Sequence, residues 1–212
     1  MRMARVSRIL SNSGIYHIII RGVDRQDIFL DDIDRKKFLK ELKNGMDEYK
    51  YEVYAYCLMN NHIHLLIKDN EGKISKMIQS ISIKYVSYFN KKYERAGHLF
   101  QNRFVSKCIE TEGSLLRVQK YIHQNPQIAG IAKTDKYVWS SYKEYVTKPV
   151  ICNTSVILSV WGDKDLNGFA EYTLDVSRYN LKEYSEIEDI HKINDDEAVR
   201  IIKYEMRDRR FV

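Results

Sequence analysis

The chain has 212 residues, 44% hydrophobic and 30% charged, a balance that suits a globular domain and excludes a disordered one. Its formal net charge of +6 at pH 7 favours an anionic partner. No apolar run reaches membrane-spanning length, the opening lacks a signal-peptide core, and Cys57, Cys108 and Cys152 show no paired spacing. The expectation is a cytoplasmic protein with neither a disulfide framework nor a membrane partner.

In chain order, "GIYHIIIRG" reads as a buried strand from about Ile15 to Arg21, closed by Gly22. "DDIDRKKFLKELKNGMDEYK" follows, with Ile33, Phe38, Leu39, Leu42 and Met46 near helical spacing and aspartates at its front. "YEVYAYCLM" alternates as a second strand, Asn60 and Asn61 make a turn, and "HIHLLIK" returns as a third. A long amphipathic helix carries Ile74, Met77, Ile78, Ile81, Tyr85 and Tyr88 on one side and is punctuated by Gly97. A fourth strand is expected around Phe104 to Ile109, then a third helix capped by Thr111 and ending against Pro126. The order β-α-β-β-α-β-α predicts an α+β, ferredoxin-like (split βαβ) sandwich with helices packed on a central antiparallel sheet. Residues 1–146 are read as the main domain and 147–212 as a C-terminal helical extension, a cut-short accessory region.

Within the third strand, His62 and His64 share one face while Ile63, Leu65 and Ile67 point to the other. Two imidazoles about 7 Å apart at Cα can converge on one ion, although a bare HxH is equally compatible with a half-buried strand. On the third helix Tyr121 and Asn125 are four residues apart, on one face if the helix persists that far. A neutral His, His, Asn set leaves positions for water and phosphate oxygen. Tyr121 nearby would offer a phenol able to attack that phosphate. With an ordinary pKa of about 10 it needs electrostatic help, and no proton acceptor can be named from the sequence. Tyrosine itself is no signal, since the chain has 16; position singles this one out.

From Lys84 to Lys107 the basic residues Lys84, Lys91, Lys92, Arg95, Arg103 and Lys107 face a single acid, Glu94, and are interleaved with aromatic rings. Cations beside stacking rings suit single-stranded nucleic acid, whereas some of these rings must belong to the core. Arg21, Arg25, Lys84 and Arg103 are the candidate phosphate contacts. His17 reads as a core residue or a neighbour of the ligands, and His98 and His123 as ordinary polar positions.

The words "YHIIIRGVDRQDIF", "YCLMNNHIHLLI", "GHLFQNRF", "YIHQNPQIAG" and "WSSYKEY" occur in that order over roughly residues 14–146. In them the chain resembles the HUH single-tyrosine transposases, and is most similar to the REP-associated tyrosine transposases and related insertion-sequence enzymes. The resemblance implies that His62, His64 and Asn125 hold magnesium or manganese and that Tyr121 is the nucleophile. It further implies cleavage and rejoining of single-stranded DNA beside a hairpin, through a 5′-phosphotyrosine and with no nucleotide cofactor. Relatives commonly carry proline where Asn60 stands, and longer ones continue past a segment like "DDEAVRII" into a helix-turn-helix. Two other readings stay open: a non-catalytic hairpin-binding protein or repressor, and a metal-dependent phosphodiesterase using water. A homodimer is open as well, since some members exchange the tyrosine helix between subunits and others act alone.

Overall fold

The computed structural model describes residues 9–101, 103–162 and 165–176. Four strands, β1 (Ile15–Arg21), β2 (Tyr51–Leu58), β3 (His62–Asp69) and β4 (Val105–Cys108), form one antiparallel sheet in the order β2-β3-β1-β4. Between them run α1 (Asp32–Tyr49) and α2 (Ile74–Lys92), and after β4 come α3 (Glu112–Ile128), α4 (Tyr142–Val146), α5 (Ser155–Trp161) and α6 (Leu166–Leu174). This is the split βαβ sandwich that the sequence predicts.

Alternation along the strands gives the sheet two different faces. Tyr16, Ile18 and Ile20 of β1 and Ile63, Leu65 and Ile67 of β3 join Phe38 and Leu42 of α1 and Met77, Ile78, Ile81, Tyr85 and Phe89 of α2 in one apolar core. The opposite face carries His17 and Ile19 of β1, in register with Leu66 and His64 of β3, and α3 lies across β2 and β3 there. A layer of helices therefore covers each side, and the polar strand positions meet only α3's side.

Two polar anchors hold the first layer. Asp31 and Asp34 form a reciprocal capping box at the start of α1. The fully buried Asp34 also accepts from Tyr88 (3.0 Å), Tyr93 (2.8 Å) and Lys92 (2.8 Å). This explains a departure from expectation. Ile33 is 60% exposed, because the buried stripe of α1 runs through Asp34, Phe38 and Leu42 instead. Burial of a well-bonded carboxylate defeats a reading that looks only for apolar side chains.

The third helix also differs. It does not stop before Pro126 but runs through it to Ile128, and the Ala129 N–H bonds to the Asn125 carbonyl at 3.0 Å. A proline inside a helix costs about 3 kcal/mol; here the whole stretch from Val118 to Pro126 is buried and held by side-chain hydrogen bonds, which outweighs that cost. Beyond residue 146, α5 and α6 both pack on α3. The described residues through Asp175 belong to one compact unit; the remainder of the expected extension, from residue 177, lies outside the described residues.

Candidate functional site

The site begins at the β2–β3 turn. The Asn60 carbonyl accepts from the Ile28 and Phe29 amides at 2.7 and 3.2 Å, and its side-chain oxygen from Arg35 at 2.6 Å. That guanidinium lies over the Trp139 ring, 5.6 Å from its centroid. Asn60 thus ties the turn to α1, a role that a proline could not fill in the same way. Asn61 reaches the other way: its carbonyl accepts from the Gly22 amide at 2.9 Å, and its Nδ2 donates to the Arg25 carbonyl at 3.3 Å. Its Oδ1 lies 2.7 Å from His62 Nδ1. The partner loop is wound tightly, with Asp24 and Arg25 both left-handed at φ 49° and 60°, a conformation that costs side-chain-bearing residues energy.

From this turn β3 presents its two histidines to the α3 side. The His62 and His64 rings stand 4.9 Å apart at 86°. Behind His64, His17 of β1 places its Nε2 3.0 Å from His64 Nδ1, with the rings stacked at 5.3 Å. From α3, the Tyr121 ring meets His64 edge-on at 5.5 Å and His17 at 6.0 Å. Asn125, one turn later, sets its Oδ1 3.3 Å from His62 Nε2.

Burial sets the charge state. His64 is wholly buried, and desolvation holds it well below the ordinary histidine range, helped by His62, His17 and Arg21. His17 is pushed down to about 3 by burial and then by Lys107. Both rings are neutral near pH 7, the state in which an imidazole nitrogen offers a lone pair.

A second buried network seats α3. Gln119 and His123 are joined at 2.7 Å, His123 reaches Ser141 at 2.8 Å, and the Ser141 hydroxyl oxygen accepts from the Tyr56 amide at 2.9 Å. His123 is therefore no ordinary polar position; it is fully buried and bridges α3 to β2 through the "WSSY" segment. On the far side, Gln124 donates to the Thr173 and Asp175 carbonyls, and Lys120 lies 4.4 Å from the Tyr172 ring centroid.

The structure thus brings His62, His64, Tyr121 and Asn125 together, although they come from a hairpin and a helix about sixty residues apart. Arg21 is in register with His62 and shares its face. Arg25 and Arg103 are exposed. Lys84 is not brought to the site: it stands on α2, in the opposite layer, ion-paired with Glu48 at 3.5 Å. Several rings between Lys84 and Lys107 are also spent elsewhere, Tyr85 and Phe89 in the core and Tyr88 and Tyr93 on Asp34. His98 is exposed. Two neighbours emerge that sequence reasoning left unassigned: Asn61, and Lys107, which sits opposite His17 on β4. Only the adjacency of Asn61 to the HxH word could have pointed to the first.

The donor set suits a divalent cation. Two imidazoles and an amide oxygen converge, with His64 Nε2 buried beside them; amide oxygens and imidazoles are both ligands that manganese accepts. Among the described residues no three His, Cys, Asp or Glu side chains form a metal cluster; the oxygen set against His62 Nε2 is that of the Asn125 amide.

Comparison with known proteins identifies the family and the fold. A Haemophilus influenzae protein described as a REP-associated tyrosine transposase is 27% identical over 153 residues, spanning 66% of this chain and 86% of its own. A solved REP-associated tyrosine transposase bound to a REP hairpin shares the fold with a TM-score of 0.59 at 16% identity, over 68% of this chain and 86% of that one. The family described as "Transposase IS200 like" matches residues 11–125, more than half of the chain. The chain belongs to the IS200-like transposase family.

Proposed function

We propose that this protein cleaves and rejoins single-stranded DNA through a covalent 5′-phosphotyrosine at Tyr121. The observation that carries the reading is the meeting of Tyr121 with His62, His64 and Asn125 across the sheet–helix interface. In the proposed cleavage the phenolic oxygen of Tyr121 bonds to phosphorus and the P–O3′ bond breaks. The phenol proton passes to solvent, and the leaving 3′ oxygen takes a proton from solvent to become a hydroxyl. The reverse attack by a 3′ hydroxyl restores the diester, so strand joining needs no ATP.

His62, His64 and Asn125 would hold the cation, which when bound supplies Lewis-acid polarisation of the phosphate oxygens. The chain's own residues do the rest. The desolvated His64, held well below the ordinary histidine range, offers a nitrogen lone pair. Burial of Tyr121, 4% exposed, limits the water that could compete with its hydroxyl. Arg21 and Lys107, placed on the same sheet face as the rings, put positive charge where a DNA phosphate would enter. The relative solved with a REP hairpin supports a hairpin flanking the cut as the recognised feature.

The test is incubation with 5′-labelled and 3′-labelled hairpin-bearing single-stranded DNA and Mn2+. A protein–DNA adduct that disappears in Tyr121→Phe supports the proposal. Hairpin binding with no adduct favours a non-catalytic binder, and cleavage surviving Tyr121→Phe favours hydrolysis by water; either overturns it.

A further inference from the structure

Both histidines of the candidate site have a ring nitrogen held by a neighbour that is not one of the candidate ligands. In each case it is Nδ1: that of His62 lies 2.7 Å from Asn61 Oδ1, and that of His64 lies 3.0 Å from His17 Nε2. We infer that Asn61 and His17 are positioning residues that fix the tautomer and ring orientation of His62 and His64, so that both present Nε2 to a divalent cation. This rests on the reading of the two histidines as ligands.

For His62 the tautomer follows from the network. The Arg25 carbonyl can only accept, so the Asn61 amide that reaches it at 3.3 Å does so with Nδ2. Asn61 then turns Oδ1, an acceptor, towards His62, whose Nδ1 must carry the proton. The opposite nitrogen, Nε2, faces a second acceptor, Asn125 Oδ1, at the longer distance of 3.3 Å. The 2.7 Å contact at Nδ1 is the stronger, so the neutral ring keeps its proton there and its lone pair on Nε2. Two acceptors set against each other are relieved by a cation placed between them. The left-handed Asp24 and Arg25 acquire a purpose here, since their turn delivers the carbonyl that orients Asn61.

For His64 the backing group is another imidazole. With Nε2 of His64 given to a cation, its Nδ1–H donates to His17 Nε2, and His17 keeps its own proton on Nδ1. That atom is buried with no hydrogen-bond partner among the described residues, so no described acceptor or donor at Nδ1 fixes the His17 tautomer, and the cation on His64 sets it. Such backing partners typically change metal affinity by about 10- to 100-fold when removed.

The experiment measures Mn2+ affinity by calorimetry on the full chain and the ring tautomers by 15N-detected histidine NMR without metal. Asn61→Leu and His17→Leu are expected to weaken Mn2+ by about 10-fold or more. Asn61→Asp and His17→Gln keep an acceptor in place and are expected to stay within about 3-fold of the unaltered protein. Metal-free His62 is expected as the Nδ1–H form, a readout independent of whether any variant folds. An Nε2–H form of His62 overturns the inference, as does equal weakening by the leucine and the acceptor-keeping variants, or no weakening by any. Failure of the unaltered protein to take up Mn2+ would instead bring down the ligand reading itself, and the inference with it.

Discussion

Gln124 donates from its side-chain amide to the Thr173 carbonyl at 2.7 Å, and again to the Asp175 carbonyl at 3.0 Å. The helix bearing Tyr121 is therefore clamped between the sheet on one side and α6 on the other. Replacing Gln124 by leucine keeps the bulk but leaves two carbonyls without their donor. The expected loss is about 1–3 kcal/mol in urea denaturation. An unchanged midpoint would mean that the clamp contributes nothing to stability.

Asp34 is the polar hub of the opposite layer. Desolvation opposes its charge, but hydrogen bonds from Lys92, the Leu30 amide, Tyr93 and Tyr88 prevail and hold its carboxyl below the ordinary range. Asp34→Ala would strand all of these donors together. A loss of about 3–5 kcal/mol is expected, visible as a steep drop in thermal midpoint. Lys92 faces the same carboxylate from a partly exposed position, so Lys92→Met should cost clearly less.

Gly22 closes β1 where the chain passes close to its own loop. A Cβ there would stand 2.2 Å from the Gln26 carbonyl oxygen and 2.9 Å from Ile28 Cγ2. Gly22→Ala must therefore displace backbone, and since the Gly22 amide also binds the Asn61 carbonyl, the shift is transmitted to the His62 turn. The expected result is a loss of about 1–3 kcal/mol together with weakened Mn2+ binding, measured by denaturation and calorimetry on one preparation.

Acid should destabilise the fold through His123. Burial pushes its pKa down to about 3 in the folded chain, against about 6.5 when unfolded. Above pH 6.5 neither state takes the proton and stability is flat in this term. Below it the unfolded chain binds a proton that the folded chain refuses, so stability falls as pH drops towards 3. At pH 5 one such ring accounts for about 2 kcal/mol. His123→Gln should flatten the loss between pH 7.5 and 5 by about that amount, whatever it does to stability at neutral pH.

Removing divalent ions should separate cutting from holding. EDTA is expected to abolish the Tyr121 adduct while leaving hairpin binding within about 3-fold, because contacts to phosphates and bases draw on arginine and lysine charge rather than on the histidine pair. Adduct formation that persists in EDTA would contradict the proposed chemistry. A gel-shift and a denaturing gel run from the same reaction read both quantities.

Much of this was legible along the chain, because strand alternation and helix periodicity are local. The face shared by His62 and His64 follows from a repeat of two, and that shared by Tyr121 and Asn125 from a repeat of four. What escaped the reading depends on contacts across space. His123 is polar and sits off the Tyr121 side, so nothing local reveals that Gln119 and Ser141 will enclose it. Ile33 follows the apolar pattern, yet the buried position goes to Asp34, whose donors arrive from a helix more than fifty residues away. Pro126 carries a local rule for stopping a helix, and burial on two sides overrides it. The turns at α5 and α6 lie where periodicity fades, because short helices give too few repeats to register.

The seating of α3 on its own sheet has a kinetic corollary. On the proposed chemistry, an attacking Tyr121 oxygen that works with the groups of its own chain borrows no helix from a neighbour. The initial rate of strand scission should rise in simple proportion to enzyme concentration, and diluted molecules should work as well, each for each, as crowded ones. Mixing Tyr121→Phe chains with His64→Ala chains should then restore nothing, because neither could repair the other's missing half.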